Sequence, residues 1–107
     1  MTLLLNIGKL SSGPYVSSCH SLYKGAWSTE PSMKERRSHG AASNYKTGLL
    51  ITGGTTGGTT GGLLSSTELF TTNGQWTYAQ QLPRKLSRHC QVQYADTVII
   101  AGKADSL

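Results

Sequence analysis

The 107-residue chain is poor in acid: Glu30, Glu35, Glu68, Asp96 and Asp105 stand against ten Lys and Arg, for a formal net charge of +5. Glu68 has no carboxylate near it in sequence, which argues against the paired acid-base chemistry of glycoside hydrolysis. Cysteine is scarce too. Cys19 and Cys90 are too few for a disulfide framework and lack metal-ligand spacing, and whether the two pair is open at this point. The apolar start, Leu3-Leu4-Leu5 with Ile7, is far shorter than a membrane span and has no basic residue before it. It fits neither a transmembrane helix nor a usual signal peptide, so no membrane partner is expected. No stretch carries a helical period.

What is present is glycine, 13 residues of it, with Thr, Ser, Val, Ile, Tyr and Trp in short runs between, a mix that favours strands and tight turns. At 36% hydrophobic with little charge, the chain is too apolar for a disordered segment. The basic residues are scattered. Two local groups, Lys34 with Arg36 and Arg37, and Arg84 with Lys85 and Arg88, do not alternate with aromatics as a single-strand groove requires, so no nucleic-acid partner is expected. A basic surface suits an acidic partner instead.

The chain repeats itself at a period near 50 residues. Trp27 recurs as Trp76 and Gly53 as Gly102, each 49 residues on, and His39 recurs as His89, 50 on. Leu49-Leu50-Ile51-Thr52-Gly53 matches Val98-Ile99-Ile100-Ala101-Gly102, and Leu3-Leu4-Leu5-Asn6-Ile7-Gly8-Lys9 is a fainter echo. Strands are expected at 38–45 and 48–52, joined at Lys46-Thr47, and at 66–72 and 75–78, joined at Asn73-Gly74. Asn-Gly predicts a type I′ hairpin with positive φ at both residues. The unit reads as a four-stranded antiparallel meander, which cannot cover its own faces and is stabilised by stacking on its neighbours.

In the middle copy, Arg37-Ser38-His39-Gly40 leads into the first strand, Gly53-Gly54 closes the second, Glu68 and Phe70 lie in the third, and Trp76 follows Phe70 by six residues. Met33 and Leu82-Pro83 precede successive lead-ins. In this order the motifs resemble the kelch repeat family over nearly the whole chain. The outer copies depart from it: Tyr23 stands four residues before Trp27 with no Glu ahead of it, and the doublet becomes Gly102-Lys103. The resemblance implies an all-β, kelch-type β-propeller fragment of about two four-stranded antiparallel blades. It divides into the end of a degenerate repeat (1–37), one complete repeat (38–83) and the start of a third (84–107). It further implies a scaffold that binds a protein partner, an acidic peptide segment for instance, through inter-strand loops, without catalysis or cofactor, and that associates with further blades. Two other readings are a piece of a copper-oxidase propeller, for which Tyr45, Tyr94, Cys90 and His89 supply residue types but no matching spacing, and a non-functional truncated copy.

Within that resemblance, Arg37 and Arg88 are expected to point toward the central mouth, where guanidinium grips carboxylate in bidentate fashion. Thr55, Thr56, Thr59 and Thr60 sit in a Gly-Gly-Thr-Thr loop expected on one rim. That loop has no Gly-Lys-Ser/Thr ending and precedes a strand, so it is not a phosphate loop. Trp27 and Trp76 are expected to pack between neighbouring sheets, and Gly53, Gly54, Glu68 and Phe70 to form the structural motif, with Glu68 accepting from backbone or from the next blade's arginine. His39 and His89, read as equivalent positions, together with His20 and Cys90, are better explained by periodic packing than by a metal site. Cys90 is expected to be a small, buried residue.

Overall fold

The computed structural model describes residues 2–5, 17–56 and 62–102, and over these the protein is all-β and antiparallel. The first sheet orders β1 (Thr2–Leu5), β2 (Cys19–Tyr23) and β3 (Ala26–Glu30). The middle sheet is a meander of β4 (Ala41–Tyr45), β5 (Gly48–Thr52), β6 (Thr67–Phe70) and β7 (Trp76–Tyr78). The last sheet pairs β8 (Cys90–Tyr94) with β9 (Thr97–Ala101). Among the described residues only the middle sheet has four strands. No helix of these residues is long and apolar enough to cross a membrane.

Turn chemistry sets the pairing. Tyr23 pairs with Ala26 across Lys24-Gly25, whose φ angles of 50° and 80° are both positive, as a type I′ turn demands. Asn73-Gly74 was expected to do the same and does not: of the two, only Gly74 is at positive φ, and its N–H donates to Thr71 O at 2.9 Å. Phe70 pairs with Trp76, so five residues intervene, and the four-residue turn from Thr71 to Gly74, ending on the glycine at positive φ, needs no second residue at positive φ.

The middle sheet buries both faces because alternate residues serve different neighbours. Leu49, Ile51, Phe70 and Trp76 share one face with Glu68, and these four apolar residues meet Cys19 and Met33 of the preceding segment in a single cluster. The Phe70 and Trp76 rings lie 4.9 Å apart at 51°, a tilted pairing worth about 1 kcal/mol beyond its area. The indole N–H of Trp76 donates to Pro31 O at 2.8 Å, so its polar atom is satisfied within the packed cluster. The opposite face, with Ser43, Leu50 and Thr52, receives the last sheet through the Gln91 amide, which donates to Ser43 Oγ at 2.8 Å and Leu50 O at 3.1 Å.

Strand pairing sets the repeat between the middle and last sheets at 49 residues: β4 and β5 map onto β8 and β9 with no insertion, and Met33, buried, maps onto Leu82, also buried. At that offset His39 corresponds to Arg88, both at positive φ (60° and 55°), and His89 corresponds to Gly40. The expected equivalence of His39 with His89 therefore fails by one residue. A sequence match weights side-chain identity, whereas the backbone conformation that must recur here is the left-handed one.

Gly53 and Gly54 turn the chain out of β5 at φ 63° and 97°. A Cβ on Gly54 would lie 2.6 Å from Ser38 O and 3.0 Å from Gly40 N, atoms that cannot retreat without breaking the Ser38 to Thr55 bridge. Gly25 has φ 80° with nothing near its missing Cβ. Gly54→Ala is expected to lower the unfolding free energy by at least about 2 kcal/mol, and Gly25→Ala by only about 1 kcal/mol, because the first adds a clash to the same conformational strain. Urea unfolding followed by tryptophan fluorescence measures both, and equal losses would show that φ alone matters.

Candidate functional site

Arg37 and Glu68 are both fully buried and form an ion pair at 2.8 Å. Burying two charges is costly unless every remaining lone pair and proton is engaged, and here nearly all are. Glu68 Oε1 accepts the Lys34 N–H at 2.7 Å, and Oε2 accepts the Glu35 N–H at 3.0 Å as well as the guanidinium. Arg37 Nη1 donates to Gly53 O and Ser66 O at 2.9 and 3.1 Å, leaving Nε without an acceptor among the described residues. Glu35 adds a second carboxylate, 3.7 Å from Arg37 and accepting the Ser66 hydroxyl. The pair thus fastens residues 34–37, the glycine doublet and the start of β6 into one unit.

That geometry corrects the expectation for Arg37. Its guanidinium faces inward and is consumed by Glu68, so it is not free to grip a partner. Glu68 accepts from backbone as expected, but its arginine is Arg37 of its own lead-in, not the next blade's. Arg88 does not share this environment: it is exposed, and the position that corresponds to Arg37 in the last unit is Leu86, which is buried. In the first unit, His20 takes the register position of Glu68, since Leu22 pairs with Trp27 as Phe70 pairs with Trp76.

The exposed candidates gather through backbone hydrogen bonds. Ser38 and Thr55 exchange N–H to O bonds at 2.9 Å, Arg88 N donates to His39 O at 2.7 Å, and Gly54 N donates to Leu86 O at 2.8 Å. The chain around Thr55 and Thr56, the His39 turn and the Arg88 turn therefore form one continuous rim across two units, with His39 and Arg88 exposed and both threonines half-buried. Thr59 and Thr60 lie outside the described residues. On the flank of this rim a cleft of about 420 Å³ is lined by Leu63 to Thr67, Tyr78, Lys85 and Glu35. It carries one cation, one carboxylate and one phenol. The Tyr78 hydroxyl is held above its ordinary range first by desolvation and then by the Glu35 and Glu68 carboxylates, so it enters the cleft as a neutral donor.

Trp76 packs as expected, between the middle sheet and the preceding segment. Trp27 does not: it is 56% exposed, because it stands on the first sheet's face opposite Cys19 and Ser21, which are the buried residues of β2. Cys90 was expected to be buried and is exposed, pointing outward from β8, whereas Cys19 is fully buried. Both thiols are free. Burial first, and the Glu30 carboxylate second, push the Cys19 thiol up to about 11. Among the described residues no three His, Cys, Asp or Glu side chains group as metal ligands.

A polar network between the middle and last sheets was not foreseen. The Thr52 hydroxyl donates to Gln91 Oε1 at 2.5 Å and so accepts from His89 Nε2 at 2.7 Å, leaving Nδ1 deprotonated and without a partner among the described residues. These residues lie 37 and 39 positions apart along the chain, and no local spacing signals the contact. The sequence matches no protein-family model, and no curated protein matches it.

Two outcomes follow. Arg37→Leu and Glu68→Leu are each expected to cost about 3–5 kcal/mol, since each strands a buried charge, while the double variant loses well under the sum. Denaturant unfolding of the four proteins closes the cycle, and additive losses would dismiss the pair as an anchor. Desolvation lowers the His89 pKa below 6.5, with the Thr52 contact opposing it. Below 6.5 the unfolded chain then binds the proton more readily, so stability is full above that value and falls as the pH drops through it toward the lower folded value. His89→Gln is expected to flatten that part of the stability profile, read by thermal unfolding at successive pH values.

Proposed function

We propose that this chain is a kelch-type propeller segment that serves as a protein-interaction scaffold, binding a partner through the loops joining its strands. The observation that carries the proposal is the hydrogen-bonded rim: the loop after the Gly53-Gly54 doublet, the His39 turn and the Arg88 turn come from two repeat units yet are tied edge to edge. Supporting it are the 49-residue recurrence of strands and turns, the apolar cluster around Trp76, and a buried ion pair that immobilises the base of the loops. Loops held on a rigid sheet scaffold are where recognition is usually placed.

The partner's chemistry follows from what the rim exposes. Arg84, Lys85 and Arg88 are all exposed on consecutive turns beside it, with Lys85 in the flanking cleft, so an extended acidic peptide is the ligand whose charge this surface complements. Arg37 contributes only by holding the loops. Titration of fluorescent acidic and basic peptides of matched length against the protein tests the reading. Acidic peptides should bind preferentially, and Arg88→Glu should weaken them roughly tenfold, about 1.4 kcal/mol, with more loss at low salt. Equal affinity for both peptide classes, or no effect of Arg88→Glu, would refute it.

A further inference from the structure

The last sheet carries large apolar residues on its open face. Along β8 and β9 exposure alternates strictly, and the outward residues are Cys90, Val92, Tyr94, Thr97, Ile99 and Ala101, while Gln91, Gln93, Val98 and Ile100 turn inward. Val92, Tyr94 and Ile99 are 57%, 72% and 48% exposed. An antiparallel sheet with one wetted face carries polar residues on that face. Here Val92, Tyr94 and Ile99 are on it, and the cross-strand pair Val92 and Ile99 forms its centre.

The repeat says what such a face does. Forty-nine residues earlier, Val92, Ile99 and Ala101 become Ser43, Leu50 and Thr52, the face of the middle sheet that the last sheet covers, with Leu50 and Thr52 buried. The opposite end of the molecule offers the complement. Trp27 and Leu22 occupy on the first sheet the positions of Trp76 and Phe70, which are buried in the middle sheet against the unit before it. Each open face is thus a copy of one half of an interface already formed inside the chain.

We propose that a second copy of this chain docks head to tail on these faces, Val92, Tyr94 and Ile99 of one copy packing on Leu22 and Trp27 of the next. Each copy presents three sheets among its described residues, so two copies joined by two such contacts bring six sheets together. Propellers close with four to eight, and a head-to-tail contact that closes yields a ring of defined size instead of a fibre. The contact uses the sheet faces and leaves the loop rim outside it, so it stands apart from the peptide-binding reading.

Sedimentation velocity on the 107-residue protein at rising micromolar concentration should give twice the 11.4 kDa chain mass. Ile99→Glu and Trp27→Glu, both at exposed positions and checked for folding by circular dichroism, should each sediment as monomer. Mixing the two variants should restore some dimer, because one wild-type tail then meets one wild-type head. Cys90 lies on the covered face, so its alkylation should be roughly tenfold slower in the wild-type dimer than in the Trp27→Glu monomer, with buried Cys19 unreactive in both. A wild-type protein that stays monomeric overturns the proposal. So does a dimer that survives Trp27→Glu, which would be tail to tail, or a polymer that lengthens without limit.

Discussion

The structure hangs on a buried arginine. A guanidinium cannot shed its proton, so once Arg37 is enclosed its charge must be matched on the spot, and Glu68 is the group that matches it. The matching is expensive in desolvation and is not what holds the molecule together by energy alone, since apolar replacements of buried ion pairs often stabilise. What the pair supplies is position. With its remaining bonds directed to Gly53 O, Ser66 O and the backbone of Lys34 and Glu35, it dictates where the connection from the first sheet crosses the third strand of the middle one. Met33 then falls into the apolar cluster, and Pro31 O falls within reach of the Trp76 indole.

The outer units show what becomes of that arrangement without both partners. Leu86 replaces the arginine in the last unit and is buried, its carbonyl accepting from Gly54 N, so the position stays enclosed without the charge. In the first unit His20 stands where the carboxylate would be, and the buried residues of β2 are Cys19 and Ser21, on the other face. The ion pair is therefore a property of the middle sheet, which alone is enclosed on both sides and must have its loops placed from within.

Much of this was legible in the sequence, and the failures share a cause. The all-β character, the middle meander and β5 at 48–52 follow from strand propensity and punctuation, which are local. Glu68 and Phe70 were readable because their order relative to Trp76 is a pattern along one chain. The misreadings concern direction. Arg37 and Arg88 look alike in sequence, both basic and both just ahead of a strand, yet they sit at different phases of the 49-residue repeat, one enclosed and one exposed. His39 and His89 were matched by name where backbone conformation pairs His39 with Arg88. The Thr52, His89 and Gln91 network joins two sheets and has no signature until the sheets are stacked.

Direction also explains why polarity alone misleads in a stacked-sheet protein. In an isolated sheet, glutamine on a strand predicts the wet side, and Gln91 and Gln93 would have pointed to solvent. Here Gln91 is drawn inward because the neighbouring face offers it Ser43 Oγ, Leu50 O and the Thr52 hydroxyl, partners that satisfy an amide completely enough to offset its desolvation. Once Gln91 is committed inward, period two leaves Val92 no choice but to face out, and Ile99 opposite follows it. The exposure of Val92 and Ile99 is thus the consequence of a satisfied amide on the inner face, where Val98 and Ile100 also lie, and the two faces cannot be exchanged by a register slip without stranding that amide. A sheet arranged in this way has its inner contact specified by hydrogen bonds and its outer face left apolar and open.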